Sequence, residues 1–212
     1  LNGIDEKHYD PSIDKRIPAN FTKKDRSGKK ECKRYIQQEF GLNEEEKWPL
    51  LAVVARLVKQ KGVELIKELL PELMKKGVQI IIFGQGDQQY IDYFNECKNR
   101  YPGQFGFSSN YSEDMAAKVF AGADMYLMPS EFEPCGLSQM MAMRYGTVPI
   151  VHETGGLKDS VRPYSDFDGI GDGFAFDRYD SEHLYLTILE AVKLWFADKQ
   201  NFRAIRRRCM TK

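Results

Sequence analysis

The chain has 212 residues, 42% hydrophobic and 12% aromatic, and its 31 Lys and Arg balance 31 Asp and Glu for a formal charge of zero. That apolar content is too high for a disordered chain, and the length suits one large domain, residues 1–212, with or without a short appendage. Neutrality argues against a nucleic-acid binder or a polybasic membrane-surface protein, both of which work through a basic excess.

The opening residues carry little periodicity. Asn20 to Lys30 is polar and Lys-rich and reads as an exposed loop, after which Lys33 to Phe40 forms a short helix closed by Gly41. From Leu50 onward, short apolar runs alternate with stretches of helical period, the mark of strand-helix units around a parallel sheet. The strands are Leu50 to Ala55, Val78 to Phe83, Phe105 to Ser108, Met125 to Met128 and Val148 to Val151. None shows polar alternation, so both faces of each should be covered. The helices between them are Val63 to Lys75, Gln88 to Arg100, Glu113 to Ala121 and Gly136 to Tyr145. A further helix, Ser181 to Phe196, starts on Ser181 as its cap. The fold class is therefore α/β, a Rossmann-like doubly wound parallel sheet.

Cys32, Cys97, Cys135 and Cys209 are widely spaced and suggest neither a zinc site nor a disulfide framework, so a reducing compartment is expected. No apolar run approaches the ~20 residues that span a bilayer, and no secretory signal pattern opens the chain. Leu1 in place of Met, and a basic run Arg206 to Arg208 with no helix stop after it, make the chain look cut at both ends.

In an open parallel sheet ligands bind beyond the carboxyl ends of the strands, so the segments after each strand decide function. After the first come Arg56 and Lys61, whose fork and point charge could meet on a dianion; by spacing alone a solvated basic turn is the simpler reading. After the second, Gly84 and Gly86 could let backbone amides approach an anion or could simply form a tight turn, since GxG lacks the third glycine of the dinucleotide fingerprint. After the fourth, Pro134 and Gly136 lead into a helix whose first amides, with Leu137 and Ser138 nearby, face the strand ends. Glu133 either caps that helix or meets hydroxyls or developing positive charge. Cys135 has no neighbouring His to activate it as a nucleophile. Gly155 and Gly156 allow a close backbone approach or a sharp turn, and His8, His152 and His183 are too dispersed for an acid/base or metal set.

These segments together resemble the C-terminal half of bacterial glycogen synthases and plant starch synthases, retaining glucosyltransferases of the two-domain GT-B architecture. The likeness runs through Asn2-Gly3-Ile4-Asp5, Ala55-Arg56-Leu57, Gln60-Lys61-Gly62, Gly84-Gln85-Gly86-Asp87, Ala123-Asp124, Pro129 to Gln139, Tyr145 to Pro149 and Thr154-Gly155-Gly156-Leu157. Phe132-Glu133-Pro134-Cys135-Gly136-Leu137 is the most specific piece. The resemblance implies that this is the C-terminal, sugar-nucleotide-binding lobe, with residues 1–47 as an interdomain-side lead-in and the N-terminal acceptor domain absent. It implies catalytic roles for Arg56, Lys61 and Glu133, with the two cations on the donor diphosphate and Glu133 against the transferred glucose. It further implies that Tyr111 stacks on the base and that Cys135, Gly136, Leu137 and Ser138 bind sugar hydroxyls or phosphate, beside the Gly84 and Gly86 turn.

The expected donor is ADP-glucose and the expected acceptor an α-1,4-glucan, with no metal, other cofactor, nucleic acid or membrane involved. Met141 stands eight positions after Glu133, where the wider retaining group often has a second Glu, and this fits the ADP-glucose branch better than the UDP-sugar branch. Alternatives are a UDP- or GDP-sugar transferase with another acceptor, or a nucleotide-binding module without chemistry. The expected location is the bacterial cytoplasm, or the plastid stroma of a plant, and the isolated lobe is expected to be inactive because the family's cleft needs both domains.

Overall fold

The computed structural model describes residues 3–212. Leu1 and Asn2, and with Asn2 the start of the Asn-Gly-Ile-Asp segment, lie outside the described residues. Six strands form one parallel sheet: β1 (Leu50–Val54), β2 (Gln79–Phe83), β3 (Phe105–Ser108), β4 (Met125–Met128), β5 (Val148–His152) and β6 (Phe174–Phe176). Their order is β3-β2-β1-β4-β5-β6, so the chain winds outward from β1 in one direction and returns at β4 to wind in the other. The crevice between the carboxyl ends of β1 and β4 is the switch point where such sheets hold ligands.

The helices are α1 (Ser27–Glu39), α2 (Val63–Leu73), α3 (Gln88–Arg100), α4 (Glu113–Gly122), α5 (Ser138–Arg144), α6 (Gly155–Ser160), α7 (Ser181–Ala197) and α8 (Lys199–Cys209). Every residue of β1, β2, β4 and β5 is buried, as the unbroken apolar runs require. None of the described helices is long and apolar enough to cross a membrane.

The structure corrects four readings. Helix α1 starts at Ser27, inside the stretch read as an exposed loop, and Lys29 is 4% exposed. The Lys29 ammonium donates to the carbonyls of Ala121 and Tyr145 and to Thr147 Oγ1, at 2.8 to 2.9 Å, so its charge is spent on buried oxygens rather than on solvent. At the other end of α1, Gly41 lies past the last helical turn at φ +67°. Its amide reaches the Gln38 carbonyl and the Leu42 amide reaches Gln37, a Schellman closure.

Helix α5 begins two residues later than expected because Gly136 sits at φ +62°, outside helical backbone. The cap of α7 is Asp180 rather than Ser181; its carboxylate accepts the His183 amide at 2.8 Å. Finally, β6, α6 and α8 are elements beyond the five strands and their helices.

Candidate functional site

The loops after β1, β2 and β4 are bonded to one another, and glycines set their spacing. Leu57, buried between exposed Arg56 and half-buried Val58, donates to the Gln85 carbonyl at 2.7 Å and accepts from the Asp87 amide at 2.8 Å. A Cβ on Gly84 would fall on the Ala55 carbonyl and one on Gly86 on the Leu57 backbone. The Gly84 amide donates to Ser108 at 3.1 Å. The Gly84-Gln85-Gly86 turn thus has a structural reason for both glycines, and the Gly84 amide is already engaged.

On the other side, the Glu131 amide donates to the Gln60 carbonyl at 2.9 Å. Gly62, at φ +74°, leaves no space for a Cβ against the Pro129 carbonyl. Gly155 and Gly156 do the same beneath the β4 loop, where side chains would strike the carbonyls of Glu133 and Cys135, and the Gly156 amide donates to Glu133 at 3.0 Å. His152 is buried and structural: its Nδ1 pairs with the Ser130 carbonyl at 2.9 Å, and its ring packs on Phe176 and Tyr179.

This stacking of loops brings together two residues 72 positions apart. Lys61 Nζ lies 2.5 Å from Glu133 Oε2, with the side chains only 20% and 13% exposed, and Ser130 Oγ donates to the same oxygen at 3.3 Å. The Glu133 carboxylate therefore does not cap α5, whose first residues have no side-chain cap. An ion pair this sheltered keeps both charges in place while leaving them reachable by a ligand that competes for Lys61.

Beside it, at the ends of β1 and β2, opens a cavity of about 410 Å³. Arg56, Gly84, Tyr111, Leu137 and Ser138 line it, over an apolar floor of Val54, Ala116, Ala117 and Phe120. Lys61, Gly86, Glu133, Cys135 and Gly136 lie outside that lining. Arg56 is exposed at its rim. Tyr111 is half exposed and stacked on Phe83, ring centres 5.5 Å apart, which leaves its other face open; partial burial pushes its hydroxyl pKa up. Met141 lines the cavity too, supplying thioether surface where a second carboxylate would have added charge.

Three polar lining residues were not among the site residues expected from sequence: Tyr9, Gln85 and Glu113. Tyr9 comes from the segment before α1, which is tied down from afar. The Tyr145 hydroxyl donates to Asp14, Arg16 Nε pairs with Asp14 at 2.9 Å, and the Arg16 guanidinium lies 5.3 Å from the Tyr9 ring centre. An aromatic residue so close to the Gly3-Ile4-Asp5 stretch was the available signal. Among the described residues, no group of three or more His, Cys, Asp or Glu could hold a metal ion.

Comparison with known proteins places this geometry. The chain is 44% identical over 212 residues to glycogen synthase of Caldicellulosiruptor bescii and 41% identical over 212 residues to glycogen synthase 1 of Geobacter sulfurreducens. All of this chain is matched in both, against 44% and 42% of theirs, so it spans less than half the length of these curated relatives. Among solved structures, the catalytic domain of starch synthase IV from Arabidopsis thaliana, bound to ADP and acarbose, superposes over the whole chain with a TM-score of 0.92 at 31% identity, using 44% of that chain. Anabaena HepE in complex with UDP-glucose shares the fold at TM-score 0.71 and 19% identity, with all of this chain matched to 50% of that one. Residues 35–208 match the family of glycosyl transferases group 1, and the chain belongs to that family.

Proposed function

We propose that this chain is the donor-binding lobe of a retaining glucosyltransferase that moves glucose from ADP-glucose to the non-reducing end of an α-1,4-glucan. The observation that carries the reading is the sheltered Lys61–Glu133 pair beside the Arg56 cavity at the switch point. Glycosyl transfer separates charge: the departing diphosphate becomes more negative while the sugar carbon becomes cationic. Arg56 and Lys61 supply fixed positive charge for the first, and Glu133 supplies negative charge for the second. Binding of a diphosphate draws Lys61 toward phosphate and frees Glu133 to face the sugar. The apolar floor and the open face of Tyr111 suit a nucleobase, and the ADP bound to the starch synthase IV relative supports adenine over uracil.

Acceptor binding is assigned to an N-terminal domain of the kind that makes up the rest of the relatives' length. The four cysteines, none of them in a disulfide, suit a reducing compartment such as the cytoplasm or a plastid. The test is Glu133→Gln in the full-length protein with ADP-glucose and glycogen. The expected result is a fall in kcat of about 100-fold or more with donor KM changed by less than about threefold. Equal losses in turnover and donor affinity would instead make Glu133 a binding residue and sink the catalytic reading.

A further inference from the structure

A second concave surface lies at the opposite, amino end of the sheet, between α1, the segment before β1, and the α7–α8 corner. It encloses about 710 Å³, within the range of small-molecule sites. Nine lysines and arginines line it against four carboxylates, and all four carboxylates are already engaged. Asp124 holds Lys33 and Arg206, each at 2.8 Å, and Glu46 holds Lys30 at 2.6 Å. Glu44 faces Arg34 at 3.6 Å, and Glu45 accepts the Lys47 amide at 2.9 Å.

Among the described residues, Lys24, Arg26, Lys47, Lys199 and Arg203 have no carboxylate partner, and Lys29 is held by neutral oxygens alone; the nine basic residues outnumber the four carboxylates by five in a chain whose net charge is zero. Two guanidinium nitrogens, Arg26 Nη1 and Arg206 Nε, are buried without an acceptor. Such donors cost stability unless something fills them. Burial, and after it repulsion from Arg206, Arg203 and Arg207, lowers the pKa of Arg26, so these cations crowd one another. The first turn of α1 opens on the same groove with no acidic residue in it, though Asp25 just before it accepts the Ser27 amide at 3.0 Å.

We propose that this groove is a binding site for a small phosphate-bearing anion. Forked arginines match phosphate oxygens, and Trp195, with Lys33 and Arg206 held over its ring, forms one wall of the groove. A long polyanion is disfavoured because the basic surface is one concave site rather than a track across a basic domain.

The test is calorimetric titration of the protein with pyrophosphate and, separately, with a hexose bisphosphate, at matched ionic strength and with ADP present to occupy the cavity at the other end of the sheet. One saturable site is expected, weakened at least tenfold by Arg26→Gln with Arg203→Gln and unchanged by Arg56→Gln. Tighter binding of the hexose bisphosphate would assign the site to organic phosphates, and tighter binding of pyrophosphate to inorganic ones. Arg203→Gln alone, at an exposed residue whose loss strands no buried group, should weaken binding about threefold with an unchanged Tm. No saturable heat from either probe, binding that tracks ionic strength alike in every variant, or binding lost only in Arg56→Gln would overturn the proposal. Because the Arg56 variant separates the two ends, the result does not depend on the donor reading.

Discussion

The two ends of the sheet both gather cations, and they use them differently. At the carboxyl end there are few, and the sheltered one, Lys61, carries its own counter-charge in Glu133, ready to be exchanged for a ligand. At the amino end the innermost cations are locked into the fold: Lys29 among three oxygens, Lys33 and Arg206 on Asp124. Of the outer ones, Lys30 holds Glu46, while Lys24, Arg26, Lys47, Lys199 and Arg203 have no carboxylate partner among the described residues. Burial and pairing separate structural charge from available charge, which a net charge of zero conceals. Substitutions at the two ends should therefore fail differently, the one in folding and the other in function.

The largest effect is expected at Asp124. Its carboxylate also accepts the Leu50 amide at 3.0 Å, which fixes the first residue of β1. Asp124→Ala leaves Lys33 and Arg206 without their carboxylate and the buried Leu50 N–H without this acceptor, and removing one partner of a buried pair typically costs about 3–5 kcal/mol. Burial opposes ionisation of Asp124, but Lys33 and Arg206 outweigh it and hold its pKa below the ordinary 3.8. A carboxylate held down in the folded state gives its full stabilisation above the unfolded value and loses it as pH falls through the folded value. Urea midpoints measured from pH 7 downward should show wild type converging on the variant below about pH 4. Parallel curves would mean that Asp124 is not the titrating partner.

At the carboxyl end the telling substitution is Gly62→Ala, compared with Gly77→Ala. Both glycines have positive φ, +74° and +66°, so both variants should lose about 1–2 kcal/mol from left-handed strain. Only Gly62 faces a carbonyl that a Cβ would strike, whereas at Gly77 the nearest atom is Trp48 Nε1 at 3.7 Å, an ordinary contact. Gly62→Ala must push the β1 loop away from Pro129 and carry Lys61 away from Glu133. In the full-length protein kcat should fall at least tenfold for Gly62→Ala and stay near wild type for Gly77→Ala, an order of magnitude being about 1.4 kcal/mol of transition-state stabilisation. Equal kcat values would show that the spacing of these loops does not set the chemistry.

The sheet was readable in the residues because strands covered on both faces are continuously apolar, and α3 ran from Gln88 to Arg100 as its periodicity indicated. What escaped was set by tertiary partners. Lys29 looked like a solvated residue because nothing in its neighbourhood names the carbonyls of Ala121 and Tyr145 that bind it. The three residues of β6 are too few to establish a period, and they count as a strand only because β5 lies beside them. In α8 the arginines hid an apolar face of Phe202, Ile205 and Cys209, all buried. At the site, the cations and Glu133 were each visible as residue types after strands, but their pairing across 72 residues depends on Gly62, Gly155 and Gly156 letting loops stack.

The smallest effect is expected at Lys30, and it tests whether the rim of the amino-end groove supports the fold as its floor does. Lys30 and Glu46 are 2.6 Å apart, closer than Lys33 and Asp124 at 2.8 Å, so distance alone would rank the Lys30 pair as the stronger. Their side chains are 65% and 69% exposed, however, against 8% and 5% for the buried pair. Water screens the exposed charges, and ordering two long side chains offsets most of the attraction. Lys30→Ala should therefore change stability by less than about 0.5 kcal/mol, and even that should vanish in ~1 M salt, where the Debye length is about 3 Å. The measurement is the urea midpoint at low and high salt. A loss comparable to that of Asp124→Ala, persisting in high salt, would mean that the rim charges serve the fold as fully as the buried ones. A near-zero change leaves Lys30 and its unpaired neighbours as charge held at the surface of a neutral protein, free to meet an anion.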